Sequence, residues 1–213
     1  MKDSPAHFVE KPPLKIGITG GIGSGKTTVC RIFEELGIPI YFADDRAKWL
    51  MVNDLQLVLS IKQIFGEAAY HPDGSLDRGL IASIVFSQKE KLEALNAAVH
   101  PAVFRDWESW QNGQTAVAYT LREAALLVET GTHRFLDKLI VVTAPLEMRI
   151  ARVMARDGLD KPAVETRIAR QLPEAEKVKL ADFIIKNDGS ESLAQQVLGI
   201  HRAILTIREQ KFG

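Results

Sequence analysis

Residues 20–27 read Gly20-Gly21-Ile22-Gly23-Ser24-Gly25-Lys26-Thr27 and satisfy the phosphate-loop pattern G-x-x-x-x-G-K-[ST] without a mismatch. The pattern has meaning only between a strand and a helix, so it constrains the fold on both sides of itself. Both flanks are present. Leu14-Lys15-Ile16-Gly17-Ile18-Thr19 reads as a short, largely apolar strand, and residues 28–36 read as a helix with Val29, Ile32, Phe33 and Leu36 on one face. The glycines let the backbone curl so that successive N–H groups point into one concavity. The following helix offers unpaired N–H groups and a positive dipole end to the same anion. In this arrangement Lys26 reaches the β- and γ-phosphates and the Thr27 hydroxyl ligates Mg²⁺. A glycine-rich turn that binds nothing is the bland alternative, and the intact flanks argue against it. The pattern implies a nucleoside triphosphate site.

The 213 residues suit one compact domain with insertions. The 27 basic and 27 acidic residues cancel, so phosphate binding is local and no broad nucleic-acid surface is indicated. A single cysteine, Cys30, excludes an internal disulfide, a zinc cluster and a CxxC redox pair; on the first helix it reads as a packing residue. No run of about 18 apolar residues exists, so nothing in the sequence reads as a membrane span. Residues 1–13 are polar and proline-bearing and read as a mobile leader without an apolar signal core. Together these features point to a soluble cytoplasmic protein.

Short apolar strands alternate with longer helical patterns, which predicts a parallel sheet covered by helices. The strand candidates are residues 15–19, 38–42, 115–121, 138–143 and 182–186. The continuous run Leu139-Ile140-Val141-Val142 suits a central strand buried on both faces. Between the second and third strands the chain looks helical throughout. Residues 54–65 form one helix stopped by Gly66, Pro72-Asp73-Gly74 marks a turn, and residues 77–86 and 89–99 form further helices. Pro101 opens another that ends at Asn112-Gly113. This insertion exceeds what a crossover needs and is a candidate subdomain for a second substrate. Beyond it, Pro145 starts a helix to Arg156, Asp157-Gly158-Leu159-Asp160 makes a turn, and Pro162 sits in the first turn of the next helix. Asn187-Asp188-Gly189 turns the chain, and Ser190 caps a terminal helix carrying Leu193, Val197, Ile200 and Ile204.

Beyond the loop, Asp44 and Asp45 directly follow the second strand, at the carboxyl end where open α/β sheets bind ligands. A hydroxyl acceptor needs its proton removed and its oxygen held in line, and one aspartate can do both. Equally, Asp44 can simply N-cap the helix that contains Ala47, Leu50 and Met51. Arg149, Arg152 and Arg156 share one helical face, with Arg167 and Arg170 on the next helix. Such a face is ordinarily just solvated; downstream of a nucleotide-binding core it can also close over the triphosphate. His100 is a substrate contact or a helix entry beside Pro101. Glu129 stands behind the metal or at a helix end, and Asn187 contacts adenine or only makes its turn.

Over nearly its whole length the chain resembles the dephospho-CoA kinases. The resemblance begins in Thr19-Gly20-Gly21-Ile22-Gly23-Ser24-Gly25-Lys26-Thr27-Thr28 and continues through Ala43-Asp44, His100-Pro101, Leu126-Leu127-Val128-Glu129 and Arg152-x-x-x-Arg156-Asp157. It extends to Arg167-x-x-x-Gln171 and Ala181-Asp182-x-x-Ile185-x-Asn187-x-Gly189. It implies an α/β P-loop NTPase fold of the nucleoside-monophosphate-kinase type in a single domain, residues 14–213. The implied core is 14–45, 113–147 and 172–213, with a helical coenzyme-binding insertion at 46–112 and a small helical lid at 148–171. The implied reaction is transfer of the ATP γ-phosphate to the ribose 3′-hydroxyl of dephospho-CoA, the last step of coenzyme A synthesis. In that scheme Asp44 is the base, with Lys26 and the lid arginine Arg152 as its catalytic partners. Gly21, Gly23, Ser24, Gly25, Lys26, Thr27, Thr28, Arg156 and Asn187 hold ATP, Thr27 holds Mg²⁺, and Asp44 and His100 hold the acceptor. The implied partner is a small molecule, with neither nucleic acid nor membrane, in a monomer or weak homo-oligomer. One departure stands out: the family commonly has Asp-x-Asp after the second strand, and here the first position is Phe42.

Other phosphate-loop classes fit less well. No Asn-Lys-x-Asp sequence reads guanine, and the best apolar strand ends in Thr143-Ala144-Pro145 rather than in the aspartate of assembly ATPases. A kinase for a nucleotide or a shikimate-like alcohol is the competing enzyme, and a nucleotide-binding module without turnover is the competing non-enzyme.

Overall fold

The computed structural model describes residues 11–212, so most of the expected leader lies outside the described residues. In chain order the elements are β1 Leu14–Thr19, α1 Lys26–Glu35, β2 Ile40–Phe42, α2 Ala43–Asn53, α3 Leu55–Phe65, α4 Arg78–Ser87 and α5 Lys89–Asn112. There follow β3 Tyr119–Glu123, β4 Lys138–Thr143, α6 Leu146–Asp157, α7 Lys161–Ala169, α8 Glu174–Val178, β5 Phe183–Lys186 and α9 Leu193–Phe212. The chain divides into two compact units, Tyr41–Gly113 and the remainder.

The larger unit holds β1, β3, β4 and β5, neighbours in the order β3-β1-β4-β5. β1 pairs in parallel with β3 and β4, and β4 in parallel with β5. The strand that feeds the phosphate loop is therefore central. Ile16, Ile18, Leu121, Ile140, Val141 and Val142 are fully buried, α1 adds Val29, Cys30 and Phe33, and α9 adds Val197 and Ile204. Burial on both faces explains the unbroken apolar run in β4. Burial also pushes the Cys30 thiol pKa up, which fits a packing role. Helices α6 and α7 form a hairpin with its own small core of Ile150, Val153 and Val164, against which Ile22, Met154, Leu159 and Ile168 pack. Its turn is chemically well specified. Gly158 ends α6 in the left-handed region (φ 66°), and the Asp160 side chain caps α7 by accepting from the Ala163 N–H.

The smaller unit is helical. Asp54 and Asp77 cap α3 and α4 through the N–H groups of Leu57 and Leu80, and Gly66 ends α3 (φ 88°). Its core gathers Leu50, Leu57, Ile61, Ala69, Ile81, Val99, Ala102, Val103 and Trp107. A polar clamp holds α2 to α5. Arg46 donates to both carboxylate oxygens of Asp106 at 2.8 and 2.6 Å, and the Tyr41 hydroxyl donates to Asp106 Oδ2 at 2.6 Å.

Four sequence expectations change. Pro101 does not open a helix; it lies inside α5, which is continuous from Lys89 to Asn112. A proline here forfeits one backbone bond, and burial of Val99, Ala102 and Val103 on both sides keeps the helix running. Ser190 does not cap α9: its N–H and Oγ bond Asp188 Oδ1, and Ser192 accepts the Gln195 N–H instead. The third strand starts at Tyr119 and runs on through Arg122 and Glu123, two buried charged residues that an apolar-run criterion leaves out. Asp44 is not a cap, since the N-cap of α2 is Phe42 and carries no side-chain cap bond.

Candidate active site

The loop leaves β1 at Gly20 and enters α1 at Lys26. Gly25, the N-cap, lies in the left-handed region (φ 93°, ψ 25°), and no side chain caps the helix. The first-turn N–H groups of a ten-residue helix are thus left for an anion rather than for a protein side chain. Lys26 Nζ donates to the Gly20 carbonyl at 3.1 Å and stands 3.9 Å from Glu123 Oε1. Thr27 and Thr28 are exposed, whereas Ser24 is buried and its Oγ has no hydrogen-bond partner among the described residues.

Side chains from outside the loop hold its backbone. The Ile22 N–H donates to Gln171 Oε1 at 2.8 Å, and Arg149 Nε donates to the Ile22 carbonyl at 3.0 Å. Arg149 is buried on α6, with Glu174 Oε2 3.6 Å from its Nη1. Asn187 Nδ2 donates to the Ser24 carbonyl at 2.8 Å. Arg152 Nη2 donates to the Asn187 carbonyl at 3.0 Å, and Nη1 lies 3.4 Å from the Gly23 carbonyl. These approaches explain two glycines. A Cβ on Gly23 (φ 78°) would strike the Arg149 backbone, and one on Gly25 would strike the Asn187 amide.

Beneath the loop lies a buried ion pair. Lys177 is wholly buried, 2.7 Å from Glu129 Oε1, and also donates to the Ala125 carbonyl at 2.9 Å. The same Glu129 oxygen accepts the Leu172 N–H at 3.0 Å, and Thr19 Oγ1 donates to Ala125 at 3.2 Å. The pair therefore ties the segment after β3 to the chain leaving α7, which makes Glu129 an internal tether and not a surface residue.

Gly21, Gly23, Ser24, Gly25, Lys26, Thr27, Thr28, Arg152 and Asn187 are thus brought together. Arg156 is not among them: its Nε and Nη2 bond Asp157 at 2.7 and 3.1 Å at the exposed end of α6. That pairing holds the Asp157 carboxyl below its usual pKa. Asp44 and His100 belong to the other unit, on α2 and α5. Asp45 is paired with Lys48 at 2.8 Å, while Asp44 is exposed and has no hydrogen bond or ion pair among the described residues. Desolvation pulls the His100 imidazole below its usual pKa, which favours its neutral form.

Comparison with known proteins decides the family. The family model described as dephospho-CoA kinase matches residues 14–192. The chain belongs to the dephospho-CoA kinase family. A dephospho-CoA kinase of Chlorobaculum tepidum is 40% identical over 204 residues, which cover 92% of this chain and 98% of the relative. The solved dephospho-CoA kinase of Campylobacter jejuni is 30% identical with a TM-score of 0.68, covering 90% of this chain and 97% of that one. A shikimate kinase of Acinetobacter baumannii shares the P-loop kinase fold at a TM-score of 0.55 and 17% identity, covering 93% and 96% of the two chains. As a member of the dephospho-CoA kinase family, the chain is a phosphotransferase with ATP as phosphoryl donor. Among the described residues no helix is long and apolar enough to cross a membrane.

Three residues around the loop escape a sequence reading. Arg149 looks like one of several arginines on a solvated face, yet it is buried against the loop. Lys177 lies in a polar helix with no sequence mark of its burial. Glu123 ends the strand Tyr119-Thr120-Leu121-Arg122-Glu123, whose last two residues are charged and yet buried. A carboxylate at the end of the strand beside β1 is the one signal that points to it in advance.

Proposed function

We propose that this chain transfers the γ-phosphoryl group of ATP to the ribose 3′-hydroxyl of dephospho-CoA, giving ADP and coenzyme A. One observation carries the donor half: a glycine loop that opens onto the uncapped first turn of α1, with Lys26 inside it. Family membership supports the acceptor.

The residues present suit Mg²⁺. Thr27 offers an exposed hydroxyl, a hard oxygen donor, directly after Lys26. Mg²⁺ needs few protein ligands beside phosphate oxygens and water. When bound, the ion neutralises charge on the β- and γ-phosphates. The loop N–H groups from Gly21 to Thr28 cradle the phosphates, and Lys26 turns from the Gly20 carbonyl to their oxygens. Arg152 rests on backbone carbonyls and exchanges these for phosphate oxygens, where its planar fork suits a bidentate grip. Arg156 reaches the nucleotide only by leaving Asp157. Asn187 serves the nucleotide through the loop, its amide already engaged with Ser24.

Asp44 takes the proton of the acceptor hydroxyl. Its carboxylate is unengaged and stands where β2 passes into α2, at the strand end from which such sheets act on ligands. His100 holds the acceptor as a neutral donor or acceptor of hydrogen bonds. Residues 46–112 serve as the acceptor-binding part and residues 148–171 as the lid. A cytoplasmic monomer, or a weak homo-oligomer, belongs to the same proposal.

The test is kcat/KM at fixed ATP and Mg²⁺ for dephospho-CoA, AMP, adenosine and shikimate, with mass analysis of the product. Dephospho-CoA should lead by a wide margin and yield the 3′-phosphate. If AMP matches it, the acceptor assignment fails while the kinase class stands.

A further inference from the structure

Asp157 is the last residue of α6, with Gly158 behind it as the helix C-cap. A carboxylate there meets the negative end of the helix dipole, the least favourable end of a helix for an acid. Two arginines compensate. Arg156 grips both carboxylate oxygens, with Nε 2.7 Å from Oδ1 and Nη2 3.1 Å from Oδ2. Arg167 reaches across from α7 and places Nη1 2.9 Å from Oδ2.

A fork from one guanidinium, with a second guanidinium on the same anion, is the geometry in which proteins bind phosphate. In this chain a side-chain carboxylate occupies it. The position along α6 is equally telling. Arg149 and Arg152 lie on the phosphate loop, bonding the carbonyls of Ile22 and Gly23. Arg156 follows Arg152 by four residues on the same face, a rise of about 6 Å. It therefore stands one turn beyond the two arginines that touch the loop, turned to Asp157 instead.

The grip is built to be released. The Arg156 side chain is 62% exposed and that of Arg167 48%, against 22% for Asp157. Ion pairs this open to water are individually weak, so they hold the guanidinium groups in place without locking them there. A triphosphate offers more negative charge and more acceptor oxygens than one carboxylate, and it competes for the same donors.

We propose that Asp157 is an internal competitor of the nucleotide: it occupies Arg156 and Arg167 in the nucleotide-free chain and yields them to the phosphates when ATP binds. The inference rests on the ATP half of the proposed function, and it adds Arg167 to the residues that serve the phosphates. Asp157 is a positioning residue that acts through the two arginines. It sets how tightly the hairpin of α6 and α7 holds a phosphate chain, and it retakes both arginines as the product leaves.

The test compares the affinity of the full chain for the non-hydrolysable β,γ-imido analogue of ATP, with Mg²⁺, and for adenosine, by calorimetry at low and high salt. Asp157→Asn keeps the shape of the side chain and removes its charge. It should bind the analogue about 2–10-fold more tightly at low salt, the scale of two exposed ion pairs no longer to be broken. The gain should shrink at high salt. Adenosine, which has no phosphate, should bind as it does to wild type. In a chain that carries Arg156→Gln and Arg167→Gln, adding Asp157→Asn should bring no gain. Asp157→Ala carries the test if Asp157→Asn does not fold. Unchanged or weaker analogue affinity in the folded variant overturns the proposal. A gain that survives without the two arginines, or that adenosine shares, overturns it as well, because Asp157 would then act by some route other than holding them. If wild type itself does not bind the analogue, the proposed function fails and this inference with it.

Discussion

Gln171 Oε1 accepts the backbone N–H of Ile22 at 2.8 Å, while Arg149 donates to the carbonyl of the same residue at 3.0 Å. Both polar groups of one loop residue are thus held by side chains that bracket the α6–α7 hairpin. Preorganising a backbone cradle before the anion arrives lowers the ordering cost of binding. Gln171→Ala removes one of these bonds, a net effect of roughly 0.5–1.5 kcal/mol. ATP affinity should therefore fall about 3–10-fold, with only a slight change in melting temperature. Calorimetric titration with ATP, beside a melting curve, checks this. Wild-type affinity in Gln171→Ala would mean that the loop holds its shape without the brace.

Lys177 and Glu129 form a buried ion pair in which the lysine is wholly enclosed. Lys177→Met leaves Glu129 charged and its buried oxygens short of a donor, a change that costs about 3–5 kcal/mol. The melting temperature should drop by on the order of 10 °C. Adding Glu129→Gln to that variant should recover part of the loss, since the uncompensated charge disappears. A double variant that is worse by the sum of the two single losses would show that the two residues act separately.

The phosphate loop, the alternation of strands and helices and most helix boundaries were legible because each rests on local chemistry. Asp54, Asp77, Gly66, Gly158 and Asp160 act where their residue types say they act. What was not legible depends on burial by distant segments. Arg122 and Glu123 extend β3 although charge usually marks a strand's end, because neighbouring strands and helices enclose them. Pro101 sits mid-helix because buried neighbours on both sides outweigh one lost backbone bond. The two faces of Arg149 and Arg152 differ for the same reason: one lies under the loop and the other on its carbonyls, a distinction that helical spacing alone does not carry. Asp44 is the converse case, since its sequence allowed a cap and the backbone puts Phe42 in that position.

Asp44→Asn tests the acceptor half of the chemistry. The substitution keeps size and hydrogen bonding and removes the basic carboxylate. Because Asp44 is exposed and caps nothing, the cost to stability is limited to its interaction with the α2 dipole, about 0.3–1 kcal/mol. A positioned base contributes roughly 10²–10⁴-fold, so kcat should fall by about 10²-fold or more. ATP binding should be unaffected. Steady-state kinetics with dephospho-CoA, set beside ATP titration, separate the two effects. An unchanged kcat would leave Asp44 as a surface charge and require another base.

The clamp between Asp106, Arg46 and Tyr41 predicts an acid-range signature in the helical unit. The hydrogen bond from Arg46, with help from that of Tyr41, holds the Asp106 carboxyl below its usual pKa. A carboxylate depressed in the folded state binds protons more weakly there than in the unfolded chain. Its stabilising effect is therefore complete above the unfolded value, near 4, and is lost as pH falls through the folded value. Asp106→Asn should melt lower than wild type at pH 7, because Arg46 and Tyr41 lose their shared acceptor. The gap should stay constant down to about pH 5 and then narrow as wild type loses the same interaction by protonation. Melting curves of both proteins between pH 7 and pH 3 provide the check. A gap that is constant throughout, or that widens in acid, would show that the Asp106 carboxylate charge does not hold α2 to α5.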